Sequence, residues 1–143
     1  LTPENREKYK QLKIMDITQW LKEVVLPRIK VIRPKNRILL HPTCSCQIMG
    51  LTPVLLDIAR KCAREVIFPD NWGCCGASGD RGFIFPELSD SATRDERDEI
   101  GHESFDGCYS LARTCEIAMQ DHIEQPYESI VYLVDETIQD QGT

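Results

Sequence analysis

A strand–helix–strand pattern between residues 37 and 69 constrains the fold of this chain more than any other feature. Residues 37–41 (RILLH) form a short, mostly apolar run bounded by prolines, which is typical of a buried strand. Residues 52–62 carry one apolar helical stripe, and residues 65–69 (EVIFP) form a second short strand. One such βαβ unit predicts two parallel strands joined by a right-handed crossover.

Local signals predict the remaining elements. Asp16 begins an amphipathic helix that is expected to end before Pro27, and Thr52 is predicted to cap a helix with Pro53 at its first position. A third strand is predicted over residues 105–109. Further helices are predicted over residues 86–100, 115–122 and 127–138, with the charged run at 94–99 as a solvated face.

The pattern therefore predicts a small Rossmann-like α/β layer structure, with a short parallel sheet flanked by helices. Residues 1–34 are expected to be an N-terminal helical segment leading from an upstream region, and residues 35–143 to be the cysteine-rich α/β domain. The 143 residues suit one domain. Because the first residue is Leu1 and no signal peptide is evident, we expect the chain to be part of a longer protein.

Charge and cysteine content exclude several classes of function. The net charge of −6 argues against nucleic acid or anionic lipid as the main partner, and no apolar run is long enough to cross a bilayer. Seven cysteines are too few for a disulfide scaffold in a chain of this length. An odd number of clustered cysteines, in an acidic chain without a signal peptide, favours a reducing compartment and metal or redox chemistry.

The positions of the cysteines suggest a site. Two follow the first strand, two follow the second, and two flank the junction after the third; they are Cys44, Cys46, Cys74, Cys75, Cys108 and Cys115. Because the carboxyl ends of parallel strands share one edge of a sheet, these three groups are expected to converge. Cys62 lies on an apolar helical stripe and is predicted to be a core thiol.

The adjacent pair Cys74 and Cys75 allows three interpretations: unrelated thiols, a strained vicinal disulfide, or two thiolates bound to a metal centre. The glycines that surround the pair favour the third interpretation, because they allow backbone N–H groups to approach sulfur. The sequence has no C-x-x-C, which weakens a zinc ribbon and favours a centre assembled from separate loops.

The same residues resemble a known family. Residues 73–83 (GCCGASGDRGF) and 85–88 (FPEL) resemble the cysteine-rich CCG domain in the C-terminal region of FAD-linked, iron–sulfur-containing D-lactate dehydrogenases. Residues 41–45 (HPTCS) and 113–117 (RTCEI) are similar to the same family. The resemblance covers roughly residues 35–139, which is nearly all of the predicted folded domain.

The resemblance implies that Cys44, Cys74, Cys75 and Cys115 bind a metal centre, either an iron–sulfur cluster of the 4Fe-4S type or zinc. The fuller family signature ends in C-x-x-C, and Ala112 stands where its first cysteine would be. Cys108 or Cys46 is a candidate for the missing ligand.

Other residues are predicted to surround the metal ligands. His41 either tunes the centre through a hydrogen bond, accepts a proton, or has a structural role. Gly76 and Gly79 bring backbone close to sulfur, and Arg81 either offsets charge or contacts another domain. Arg113 is expected either to lower the pKa of Cys115 or to be an exposed arginine.

The resemblance further implies an electron-transfer domain of a D-lactate or other 2-hydroxy-acid dehydrogenase. Electrons would pass from FAD on an upstream domain, through iron–sulfur centres on this domain and on an upstream ferredoxin-type domain, toward a cytochrome or quinone. The fragment alone would be inactive, and the enzyme would be cytoplasmic or peripheral at the inner face of the membrane. The alternatives are a structural zinc or docking domain, and a thiol–disulfide module that uses Cys74 and Cys75.

Overall fold

The computed structural model describes residues 2–139. The strands in this range are β1 (Lys30–Val31), β2 (Lys35–Leu40), β3 (Ala63–Ile67), β4 (Cys108–Ser110), β5 (Tyr127–Ser129) and β6 (Ile138–Gln139). The helices are α1 (Pro3–Lys10), α2 (Ile17–Trp20), α3 (Cys44–Ile48), α4 (Thr52–Cys62), α5 (Arg81–Ile84), α6 (Pro86–Ile100), α7 (Arg113–Ile123) and α8 (Ile130–Thr137).

The central sheet has the strand order β3-β2-β4-β5, and all of its neighbouring strands are parallel. Each connection between them contains at least one helix, as parallel strands require. The predicted α/β class, with a short parallel sheet flanked by helices, is therefore confirmed.

Helices cover both faces of the sheet, because successive residues of the central strand point to opposite sides. Ile38 and Leu40 of β2 pack in one apolar cluster with residues of α4 and α8. Leu39, between them, packs in a second cluster with residues of α6 and α7. The second cluster contains Cys75 and Cys115, so one of the two cores is continuous with the predicted cysteine site.

The N-terminal part of the chain is largely exposed. α1 is capped by Thr2 and buries no side chain. Asp16 caps α2 by accepting the N–H of Thr18, as its position predicts. The chain continues through a π-helical turn (Leu21–Val25) and a 3-10 turn (Leu26–Arg28). Helical turns therefore extend past Pro27, where the helix was predicted to end. Proline is tolerated there because the first turn of a helix does not use its N–H.

Several other predicted boundaries are wrong; the third strand, for example, spans Cys108–Ser110 and not 105–109. α4 is capped by Leu51, not Thr52, and Leu51 already accepts a hydrogen bond from the N–H of Leu55. Residues 127–138 do not form one helix, because 127–129 form β5 and α8 begins only at Ile130. Tyr127 is buried beside Cys108 of β4, so pairing with the sheet outweighs the helical spacing.

Outside the central sheet, β1 and β6 form a short antiparallel ladder that pairs Val31 with Ile138. Within residues 2–139, none of the helices combines the length and the apolar character needed to span a bilayer.

Candidate functional site

Four cysteines from three separate segments come together beside the carboxyl edge of the sheet. Cys44 begins α3, four residues after the end of β2. Cys74 and Cys75 lie in the loop between β3 and α5. Cys115 lies in the first turn of α7, which follows β4. These are the residues that the family resemblance selected, and the strand order places them at one end of the domain.

The four thiols form an inner and an outer pair. In the inner pair, the sulfurs of Cys75 and Cys115 are 3.0 Å apart and share a hydrogen bond. In the outer pair, the thiol of Cys44 interacts with that of Cys74. Cys75 and Cys115 are almost fully buried, whereas Cys44 is partly exposed and Cys74 is exposed. The site is therefore anchored in the second apolar cluster and open to solvent at Cys74.

The glycine loop holds the pair Cys74–Cys75 close to helix α6. Gly76 has φ +73°, and a Cβ at this position would lie 2.7 Å from the carbonyl oxygen of Leu88. Only glycine tolerates both the positive φ and this close approach. The N–H of Gly76 points at the sulfur of Cys74 at 3.4 Å, and the N–H of Ala77 donates to Cys75. The loop therefore directs backbone donors at sulfur.

The two thiols of the inner pair differ in pKa. The hydrogen bond with Cys115, helped by the N–H of Ala77 and the nearby His41, lowers the pKa of Cys75 to about 6, although burial opposes the shift. The same hydrogen bond, together with burial, raises the pKa of Cys115. Cys75 is thus the more acidic thiol of the inner pair.

The three remaining cysteines lie outside this group. Cys108 is buried in the second cluster, where desolvation alone raises its pKa to about 12, and its nearest polar contact is Gln125 at 4.0 Å. Cys46 belongs to the first apolar cluster, and its sulfur lies 3.9 Å from the hydroxyl of Thr52. Cys62 is fully buried in the same cluster, as predicted for a core thiol.

His41 is held by a buried carboxylate that the sequence pattern did not reveal. Its Nδ1 lies 2.9 and 3.1 Å from the two carboxylate oxygens of Glu96, and both residues are 1% exposed. The interpretation of residues 94–99 as a solvated face is therefore wrong at Glu96. The signal was a stripe with helical spacing on α6, which consists of Ser89, Thr93, Glu96 and Ile100.

Buried polar atoms without partners surround this pair. Among the described residues, His41 Nε2 and the hydroxyl of Tyr127 have no hydrogen-bond partner. The two rings meet edge to face with centroids 6.5 Å apart. Leu39, two residues before His41 on the same side of the chain, packs with Cys75 and Cys115. A group of buried polar side chains therefore lies in the core next to the inner thiols.

The other predicted neighbours of the ligands lie further out. Arg113 is exposed and forms an ion pair of 3.2 Å with the buried Glu116, and the pKa of Cys115 is raised, not lowered. Arg81 is exposed at the start of α5. Gly79 has φ +78° with open space around it. Glycine is therefore needed there for the backbone conformation of the turn and not for a close approach to another group.

Four cysteine thiolates are suitable ligands for zinc or an iron–sulfur cluster. The distances between their sulfurs, however, are not those of a metal-bound site. In residues 2–139, no group of three or more His, Cys, Asp or Glu side chains is arranged to hold a single metal ion. Sulfurs around tetrahedral zinc lie roughly 3.8 Å apart, since Zn–S is about 2.3 Å. The inner pair at 3.0 Å is closer than that, so its sulfurs would have to separate on binding.

Compared with known proteins, the chain matches no protein-family model, no curated protein and no solved structure. The protein is therefore classified by its own fold and site geometry. It is a parallel α/β domain with a four-cysteine cluster at the carboxyl edge of its sheet.

Proposed function

We propose that this chain is a CCG-type electron-transfer domain that binds an iron–sulfur centre through Cys44, Cys74, Cys75 and Cys115. The observation that supports it most is the meeting of these four thiols from three distant segments at one sheet edge. The origin of these thiols in three separate segments favours a centre assembled from loops over a zinc knuckle, which pairs cysteines within one short turn.

When bound, such a centre supplies the acceptance and release of electrons. The chain's own residues provide its environment. The N–H groups of Gly76 and Ala77 direct partial positive charge at the sulfurs of Cys74 and Cys75, and the N–H of Ala77 favours the thiolate form of Cys75. Burial of Cys75 and Cys115 keeps one side of the site dry, while Cys74 faces solvent. An electron partner would therefore approach from the side of Cys74.

The proposed context is an FAD-linked D-lactate or other 2-hydroxy-acid dehydrogenase in the cytoplasm or at the inner face of the membrane. The flavin and ferredoxin-type domains would lie upstream, and a cytochrome or quinone would accept the electrons. Two features support contact with other domains: α1 buries none of its side chains, and an apolar run next to the glycine loop, Phe83, Ile84, Phe85 and Leu88, is exposed.

Anaerobic reconstitution with ferrous iron and sulfide tests the proposal. We expect the wild-type chain to take up iron and sulfide in a fixed ratio, and Cys75→Ser to lose most of that uptake. Cys62→Ser is the matched control, because Cys62 is equally buried but lies in the other core, and it should retain full uptake. Stoichiometric zinc with no iron uptake, or equal uptake by both variants, would contradict the proposal.

A further inference from the structure

The inner pair of thiols has a capacity that does not require a metal. Cys75 and Cys115 are 40 residues apart in sequence, yet their sulfurs are 3.0 Å apart. A disulfide has an S–S length of about 2.05 Å, so bond formation needs a relative movement of only about 1 Å. Both residues pack in the same apolar cluster, which holds the two sulfurs facing each other.

We propose that Cys75 and Cys115 form a reversible dithiol/disulfide couple, and that this pair, not the adjacent Cys74 and Cys75, is the disulfide-forming pair of the domain. A Cys74–Cys75 disulfide would close a strained ring across one peptide bond. In the structure Cys74 faces away, since it is exposed and interacts with Cys44, whereas Cys75 is buried against Cys115.

A small hydroperoxide is the oxidant class that fits this buried pair. The sulfur of Cys75 attacks one peroxide oxygen, the O–O bond breaks, and the products are a sulfenic acid on Cys75 and water when hydrogen peroxide is the oxidant. The sulfur of Cys115 then attacks the sulfenic sulfur, the S–O bond breaks, and a second water leaves. Overall, two thiols lose two electrons and two protons to one peroxide molecule. A dithiol reductant reverses the step by thiol–disulfide exchange.

The couple would also control the proposed metal site, a consequence that rests on the proposed function. A sulfur in a disulfide is no longer a thiolate donor, so oxidation would remove two of the four proposed ligands. The inner disulfide and the metal centre therefore exclude each other.

Disulfide mapping of the metal-free 143-residue chain tests the couple itself. The chain is treated with hydrogen peroxide, its remaining thiols are blocked with N-ethylmaleimide, and it is digested with trypsin without reduction. Cleavage after Arg64, Arg81 and Arg113 gives one peptide, 65–81, with Cys74 and Cys75, and another, 114–143, with Cys115. We expect these two peptides to be the principal linked pair, and the link to disappear with dithiothreitol.

Variants assign the link to Cys75. Cys74→Ser should retain it, since Cys74 is exposed and outside the pair, and Cys108→Ser is a matched control from the same apolar cluster that should also retain it. Any of four outcomes would overturn the inference. They are no linkage at all, a link between Cys74 and Cys75, a link from Cys44 to Cys74 as the principal product, and loss of the link in Cys74→Ser. None of these outcomes depends on iron uptake, so the two proposals fail separately.

Discussion

At the scale of single residues, the most informative feature is the group of buried polar side chains next to the inner thiols, formed by His41, Glu96 and Tyr127. A buried hydroxyl or ring nitrogen without a partner costs free energy, and proteins satisfy most such groups. His41 and Tyr127 are buried, each with one atom that has no partner among residues 2–139, and they lie against the Glu96 carboxylate and the second apolar cluster. Desolvation raises the pKa of Tyr127, so its hydroxyl stays neutral.

Removing the unpartnered hydroxyl should stabilise the protein. We expect Tyr127→Phe to raise the free energy of unfolding by about 1 kcal/mol, because the variant no longer buries an unsatisfied polar group. Tyr109→Phe is the matched control: Tyr109 is equally buried, but its hydroxyl donates to Glu136 at 3.2 Å, so its loss should cost about 1 kcal/mol. Urea unfolding of both variants measures the difference, and equal losses in the two would contradict the assignment.

At the scale of elements, the loop that carries Cys74 and Cys75 is held at both ends by helix α6. Gly76 fits against Leu88 near the start of the helix. At the other end, Glu99 accepts the N–H groups of Asp70 at 2.8 Å and Asn71 at 2.7 Å. The helix therefore positions the cysteine loop, although it contributes none of the four cysteines.

The attachment at Glu99 should depend on pH. The two backbone hydrogen bonds lower the pKa of Glu99 in the folded state. Its contribution to stability is therefore complete above the ordinary carboxyl pKa, and it is lost as the pH falls through the lowered folded value. We expect Glu99→Gln to lower the Tm at pH 7, and the difference from wild type to shrink as the pH falls below about 4.

Asp95→Asn is the control for this prediction, because Asp95 is exposed on the same helix and its carboxylate has no hydrogen bond among the described residues. Its Tm should follow that of the wild type at every pH. A Tm difference for Glu99→Gln that stays constant, or grows, toward low pH would show that the Glu99 carboxylate does not hold the loop.

At the scale of the whole molecule, the sequence predicts the parts that depend on local pattern. The βαβ unit, the long helix α6 and the positions of Cys44, Cys74, Cys75 and Cys115 after strands follow from apolar periodicity and the topology of parallel sheets. The strand β5 does not follow, because it has only three residues and its spacing continues into α8.

Contacts between residues that are distant in sequence determine the rest of the site. The division of the four thiols into inner and outer pairs depends on which sulfur faces the core, and the contact between His41 and Glu96 joins residues 55 apart in sequence. A local pattern assigns charged helical residues to solvent, and the buried imidazole reverses that assignment at Glu96.

A redox titration of the anaerobically reconstituted protein, followed by electron paramagnetic resonance, tests directly whether the four cysteines bind an iron–sulfur centre. A cysteine-bound iron–sulfur centre predicts a paramagnetic signal that appears and disappears reversibly with the potential, with an intensity that matches the bound iron. The signal should be present in Cys62→Ser and absent in Cys75→Ser. Reconstituted protein that shows no reversible signal, or the same signal in both variants, would contradict the account.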